Sequence, residues 1–272
     1  MHSKVNILGV QISNITNEHL LESFTERIGQ KQKTQVCITP VNSLLSAIKD
    51  PQVLSIYNAS EFVLCDGTPI KWAAGFLNTP IVERITGLDL LPNLVAHCAK
   101  HDFSIFLLGA SPGVGEQLKQ TIHAQYPHCK VVGVYVPPFM KVFSEEENIK
   151  MIDAINAVSP DVLLVSLTAP KQDIWIAENL HRVNASVQIG IGGAFEGVGA
   201  SALIGDLFGG KGGRVIALFQ MAGDLGNIIS PVLLGWLVDA HSYRPAFIAT
   251  AAVFSLTLLL SAKMPETRKL NS

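Results

Sequence analysis

Over the first 195 or so residues, short apolar runs alternate with longer amphipathic stretches. Gln35–Thr39 (QVCIT), Glu61–Cys65 (EFVLC), Phe103–Leu108 (FSIFLL), Lys130–Val134 (KVVGV), Val162–Ser166 (VLLVS) and Val187–Ile191 (VQIGI) are each strand-length and apolar, and turn residues bound several of them. Helical spacing predicts helices through Val53–Tyr57, from near Leu88, over Glu116–Tyr126 and around Glu146–Val158. Strands without polar alternation, separated by helices, predict a mostly parallel sheet covered on both faces. The expected class is therefore α/β: a Rossmann-like, mostly parallel sheet with flanking helices.

Beyond residue 197 this pattern stops. From Arg214 to Val238 the only charge past the first residue is Asp224, and Pro245–Ala262 carries none. Apolar runs of 18 or more residues are the usual signal for a membrane span. The expectation is a two-helix apolar hairpin, over about 214–238 and 245–262. Lys211 and Arg214 precede it and Lys263, Arg268 and Lys269 follow it. By the positive-inside tendency both ends then lie on the cytoplasmic side, together with the N-terminal domain. The alternative is a pair of buried helices in a larger core, which Gln220, Asp224, Asn227 and Pro231 favour. The domain boundary is expected at 196/197.

Composition sharpens the picture at three points. Hydrophobic residues make up 48% and charged residues 15%, and the tail accounts for much of that imbalance. A net charge of −2 offers no electrostatic footprint for nucleic acid, so no such partner is expected. Cys37, Cys65, Cys98 and Cys129 are widely spaced with no CxxC pair, and read as reduced, buried thiols. The N-terminus MHSKVNILGVQIS lacks a long apolar run, so no secretory signal is expected.

Candidate chemistry collects in the loops after the predicted strands. Gly109–Gly115 links a strand to a helix, where exposed amides can cradle a phosphate; it serves equally as a tight turn. Asp66 closes an apolar strand before Gly67, at a sheet edge where ligands bind, and can act as a general base or as a turn cap. Arg84 precedes a helix and can hold a diphosphate through two hydrogen bonds, or pair with Glu83 or Asp89. Lys171 and Gln172 follow VLLVS and can reach a nucleotide or sugar, or simply start a helix behind Pro170. There is no DxD, HxH or HExxH string, so neither a metal nor another cofactor is expected.

Taken together, several strings resemble the WecG/TagA/CpsF family, glycosyltransferase family 26. They are Ile38-Thr39-Pro40-Val41-Asn42 before Asp50-Pro51, Cys65-Asp66-Gly67-Thr68-Pro69, Glu83-Arg84-Ile85-Thr86-Gly87-Leu88-Asp89-Leu90 and Ala169-Pro170-Lys171-Gln172-Asp173-Ile174-Trp175. Phe106–Ala110 and Ile189–Phe195 fall in the matching order. The resemblance implies an inverting, metal-independent enzyme that moves an N-acetylmannosamine-type sugar from a UDP-sugar donor to a polyprenyl-diphosphate-linked acceptor. It implies work at the cytoplasmic face of a bacterial inner membrane in cell-surface polysaccharide or teichoic acid synthesis. By position it assigns Asp66 as base and Thr39, Asn42, Arg84 and Gln172 as substrate contacts.

The sequence departs from that pattern. The family usually has glycine where Thr168 stands and PKQE where this chain has PKQD, and after Phe195 its RAP string and arginine-rich appendage do not follow. Residues 199–268 instead resemble the last two helices of a major facilitator superfamily transporter, notably at Tyr243-Arg244-Pro245 and Pro265-Glu266-Thr267-Arg268. Three readings stay open: a membrane-tethered glycosyltransferase, a fusion remnant that folds without turnover, and a transporter fragment. A homo-oligomer that completes the site between subunits is compatible with the first.

Overall fold

The computed structural model describes residues 2–192. It opens with an antiparallel hairpin that the periodicity did not announce, β1 (Ser3–Ile7) against β2 (Val10–Asn14). Its two-residue turn, Leu8-Gly9, has positive φ at both positions (53° and 91°), the geometry that matches the twist of paired strands. The hairpin buries Val5, Ile7, Val10 and Ile12. Next comes α1 (Asn17–Gly29), capped by the Thr16 side chain, which accepts from His19 N. Leu20, Phe24 and Ile28 recur every four residues and form its buried stripe.

The remaining elements alternate. They are β3 (Thr34–Thr39), α2 (Val41–Lys49), α3 (Pro51–Ala59), β4 (Phe62–Cys65), α4 (Thr68–Phe76), α5 (Gly87–His101), β5 (Ser104–Gly109), α6 (Val114–Gln125), β6 (Lys130–Tyr135), α7 (Glu145–Asn156), β7 (Val162–Ser166), α8 (Lys171–Asn179) and β8 (Val187–Gly190). Six strands form one sheet in the order β4-β3-β8-β7-β5-β6, with every neighbouring pair parallel. The expected α/β class and parallel sheet are thus what the described residues adopt. Among them no helix is long and apolar enough to cross a membrane. The spans expected over about 214–238 and 245–262 lie outside the described residues, as does the 196/197 boundary.

Alternating residues send each strand's side chains into separate cores. On one face Val36, Ile38, Phe62, Leu64, Ile105, Leu107, Val162, Leu164, Val187 and Ile189 pack with the stripes of α1, α5 and α6. Phe24 meets Phe62 edge-on there, ring centroids 5.9 Å apart. Truncating such a buried phenylalanine to alanine costs about 3–5 kcal/mol. On the other face two cores lie side by side. One joins the hairpin, α2, α3 and α4 around Val63 and Cys65. The other joins α7 and α8 around Phe106, Leu108, Leu163 and Val165. All four cysteines are free and buried.

Candidate active site

Every strand of the parallel sheet points its carboxyl end to the same edge, and the loops that leave this edge carry most of the residues singled out by sequence. Thr39 and Cys65 are register partners, and Asp66 N donates to Thr39 O at 3.2 Å. This sets the Asp66 carboxylate, partly exposed, just beyond the ends of β3 and β4. The Thr39 side chain is fully buried and its Oγ1 has no hydrogen-bond partner among the described residues. An orphaned buried hydroxyl is uncommon and marks a place where a ligand or water is accommodated. Asn42 is exposed in the first turn of α2, its Oδ1 accepting from Ser43 N at 3.0 Å.

Arg84 arrives from a distant part of the chain but is fixed at the same corner. Ile85 N donates to Cys65 O at 3.0 Å, which clamps the loop before α5 onto the end of β4. The guanidinium lies 3.5 Å from the Asp89 carboxylate. Thr86 caps α5 by accepting from Asp89 N at 3.1 Å and donates to Asp89 Oδ2 at 2.8 Å. The Cys65 thiol reports the local field. Burial first, then the negative charge of Asp66, pushes it up to about 12, while Lys71 and Arg84 pull it down. One carboxylate and two cations therefore converge at the end of β4. Sequence reasoning missed Lys71, whose only signal was its place one turn into the helix after Asp66.

The second half of the edge carries the topological switch at which open α/β sheets form their crevice. The loop after β5 leads into α6 on one face of the sheet, whereas the loop after the adjacent β7 leads into α8 on the other. Ligands of open α/β sheets bind where neighbouring loops diverge in this way. Gly109 is required there. Its φ is 97°, and an added Cβ would sit inside van der Waals contact of the Ser166 carbonyl oxygen. Ala110 N donates to that same oxygen at 2.8 Å. Across the crevice Thr168 is exposed with φ 66°, a left-handed backbone that suits glycine.

Lys171 and Gln172 lie in the first turn of α8, behind the cis Ala169-Pro170 bond, and both are engaged within the protein. The Lys171 ammonium donates to Met140 O and stands 3.7 Å from the centre of the Phe143 ring, pinning the loop after β6. Gln172 is buried and its Oε1 accepts from Gly192 N at 3.0 Å, just past the end of β8. Asp173 went unread as a structural residue. Its carboxyl is fully buried, Oδ2 accepts from the Tyr57 hydroxyl at 3.0 Å, and its backbone oxygen accepts from Gln35 Nε2 at 2.8 Å. Burial raises its pKa from 3.8 to about 7, with Tyr57 and Cys37 pulling it back. Through these bonds α8 is tied to β3 and α3, which sets where Gln172 and the crevice loop sit.

Residues 5–200 match the glycosyl transferase WecG/TagA/CpsF family. The chain belongs to that family. Its members are glycosyltransferases, and the resemblance carried by the Thr39, Asp66, Arg84 and Gln172 strings is borne out. Among curated relatives, N-acetylglucosaminyldiphosphoundecaprenol N-acetyl-beta-D-mannosaminyltransferase of Staphylococcus aureus strain MRSA252 is 25% identical over 196 residues, covering 71% of this chain and 75% of the relative. The same enzyme from strain NCTC 8325 / PS 47 is 24% identical over an equal span. A second match, to the Major Facilitator Superfamily, covers residues 185–272, nearly all outside the described residues.

Proposed function

We propose that this family member transfers an N-acetylmannosamine-type sugar from UDP to an acceptor sugar carried on a polyprenyl diphosphate, with inversion. The observation that carries this reading is that Asp66 and the Arg84 loop are both fixed at the end of β4, by Asp66 N donating to Thr39 O at 3.2 Å and Ile85 N donating to Cys65 O at 3.0 Å. An acceptor hydroxyl must lose its proton as it attacks the donor sugar, and Asp66 is the carboxylate placed to take it. The departing UDP carries negative charge, which the crevice amides around Gly109 and the Arg84 guanidinium are suited to receive. Arg84 would exchange its 3.5 Å contact with Asp89 for the diphosphate. We assign no metal to this chemistry, because cationic side chains at the same corner supply the compensating charge. The activity for which the relatives are named supports the acceptor class, and the apolar runs over about 214–238 and 245–262 support work at the cytoplasmic membrane face.

The test is UDP release from UDP-N-acetylmannosamine with a lipid-linked N-acetylglucosamine acceptor, comparing the full chain with Asp66→Asn and adding EDTA. Loss of a general base costs about 10²–10⁴-fold in rate, and that drop with UDP binding retained is the expected result. EDTA leaves the rate unchanged if no metal takes part. Equal turnover in the variant would remove Asp66 from the mechanism. A folded chain that binds UDP without turnover would point to a remnant.

A further inference from the structure

Helix α4 buries one side and leaves the other apolar side uncovered. Ile70 and Ala74 turn into the core, while Trp72, Phe76 and Leu77 are 56%, 87% and 58% exposed. Between this side and the chain that follows, Lys71, Trp72, Gly75, Phe76, Pro80 and Ile81 line a groove of about 580 Å³. Its far wall is held in place: Asn14 Nδ2 donates to Pro80 O at 3.3 Å, and Val82 N donates to Asn14 Oδ1 at 2.8 Å.

Two observations separate this groove from scattered surface apolar residues. The first is Gly75. A glycine inside a helix costs about 1 kcal/mol relative to alanine. Yet an added Cβ here would meet nothing within 4 Å, so packing within the domain does not demand glycine. What the missing side chain provides is depth in the groove. The second is continuity with the candidate site. Lys71 lines the groove from the first turn of α4, five residues after Asp66, and its Nζ donates to Val82 O at 3.1 Å, two residues before Arg84. The surface is thus cationic at one end and apolar along the rest. That is complementary to an amphiphile with an anionic head and a hydrocarbon chain, and exposed apolar patches of this kind mark binding surfaces.

We propose that the groove takes the leading part of the polyprenyl chain of the acceptor, with Lys71 facing the diphosphate that joins chain to sugar. This rests on the lipid-linked acceptor of the proposed function. On it, the chain anchors beside α4 and the acceptor sugar is presented toward Asp66.

The experiment uses the full chain and Gly75→Leu, which fills the groove from an open position, with Phe76→Ser as a second variant at an exposed site. Transfer is measured to an N-acetylglucosaminyl-diphosphate acceptor bearing an undecaprenyl chain and to one bearing a short water-soluble chain. The expected result is a KM for the long-chain acceptor raised about tenfold in both variants, with kinetics on the short-chain acceptor unchanged. Equal effects on both acceptors, or on neither, overturn the inference. In parallel, Trp72 fluorescence is titrated with undecaprenyl phosphate in a Trp175→Phe, Trp236→Phe background, which requires no turnover. Binding that Gly75→Leu abolishes supports the groove even if no acceptor is glycosylated, so failure of the proposed function is distinguishable. An equal Trp72 response to phospholipid vesicles free of polyprenol would mean general bilayer docking. Self-association that both variants abolish would mean that a second copy covers the face. Either outcome overturns the proposal.

Discussion

Replacing Asp173 with asparagine tests whether the carboxyl beneath the site is held neutral. In the folded chain its pKa is raised from 3.8 to about 7, chiefly by burial. A raised carboxyl pKa means that the folded state binds the proton more tightly than the unfolded state. Well below pH 4 both states are protonated and no penalty arises. Between about pH 4 and 7 folding takes up a proton, so stability falls as pH rises, and above 7 the full penalty applies. A shift of some three units corresponds to about 4 kcal/mol. Asparagine removes that penalty, but its amide nitrogen takes the place of Oδ1, which has no hydrogen-bond partner among the described residues, and an unpaired buried N–H costs about 1–3 kcal/mol. The balance changes sign with pH. At pH 8 Asp173→Asn should be more stable than the parent by about 1–3 kcal/mol; at pH 4, where the penalty has almost vanished, it should be less stable by about 1–2 kcal/mol. The two curves cross near pH 5. The assay is urea unfolding of the full chain from pH 4 to 8, followed by Trp175 emission in a Trp72→Phe, Trp236→Phe background. Trp175 is buried in the neighbouring core and senses loss of α8 packing. Parallel pH curves for parent and variant would refute the reasoning, because the pH dependence must then arise elsewhere.

Further substitutions separate backbone demands from chemistry. Thr168→Gly should stabilise the chain by about 1 kcal/mol, since a left-handed conformation costs a non-glycine residue that much. An unchanged melting temperature would show that Thr168 is unstrained. Gly109→Ala should destabilise by about 3 kcal/mol or more in urea unfolding, because both its φ and the Ser166 carbonyl oppose a Cβ; a neutral result would mean that the β5–β7 edge yields readily. Arg84→Met should leave unfolding within about 0.5 kcal/mol, as for most surface changes, yet raise the KM for the UDP-sugar about tenfold or more. An unaltered KM would leave Arg84 as a partner of Asp89 alone.

The sheet was legible because its strands are short continuous apolar runs, and all six predicted runs agree with the observed strands to within one residue at each end. The hairpin and α1 were harder to see. Ser3–Ile7 buries only Val5 and Ile7, and Asn17–Gly29 spreads its three buried residues among charged and polar ones, so both read as surface. Helix α4 follows Asp66-Gly67 so closely that the turn signal masked the helix behind it.

The site divides in the same way. Thr39, Asp66, Arg84 and Gly109 were visible because each sits where a strand ends or where a loop is clamped to a strand end, and strand ends can be read from the pattern. Lys171, Gln172 and Asp173 form one polar string after β7, and sequence gives such a string a location without a direction. Folding aims the three differently: Lys171 toward the Phe143 ring, Gln172 onto Gly192 N, and Asp173 toward Tyr57. What separates them is the 100° turn between successive helical residues once the α8 axis is set. That axis is fixed by partners some 116 and 138 residues away in the chain, Tyr57 and Gln35, which no local pattern contains. A polar residue beside a strand end can therefore face the substrate or brace the strand. In this chain a buried carboxyl one residue after Gln172 braces the edge from beneath, while the partly exposed Asp66 sits at the end of β4.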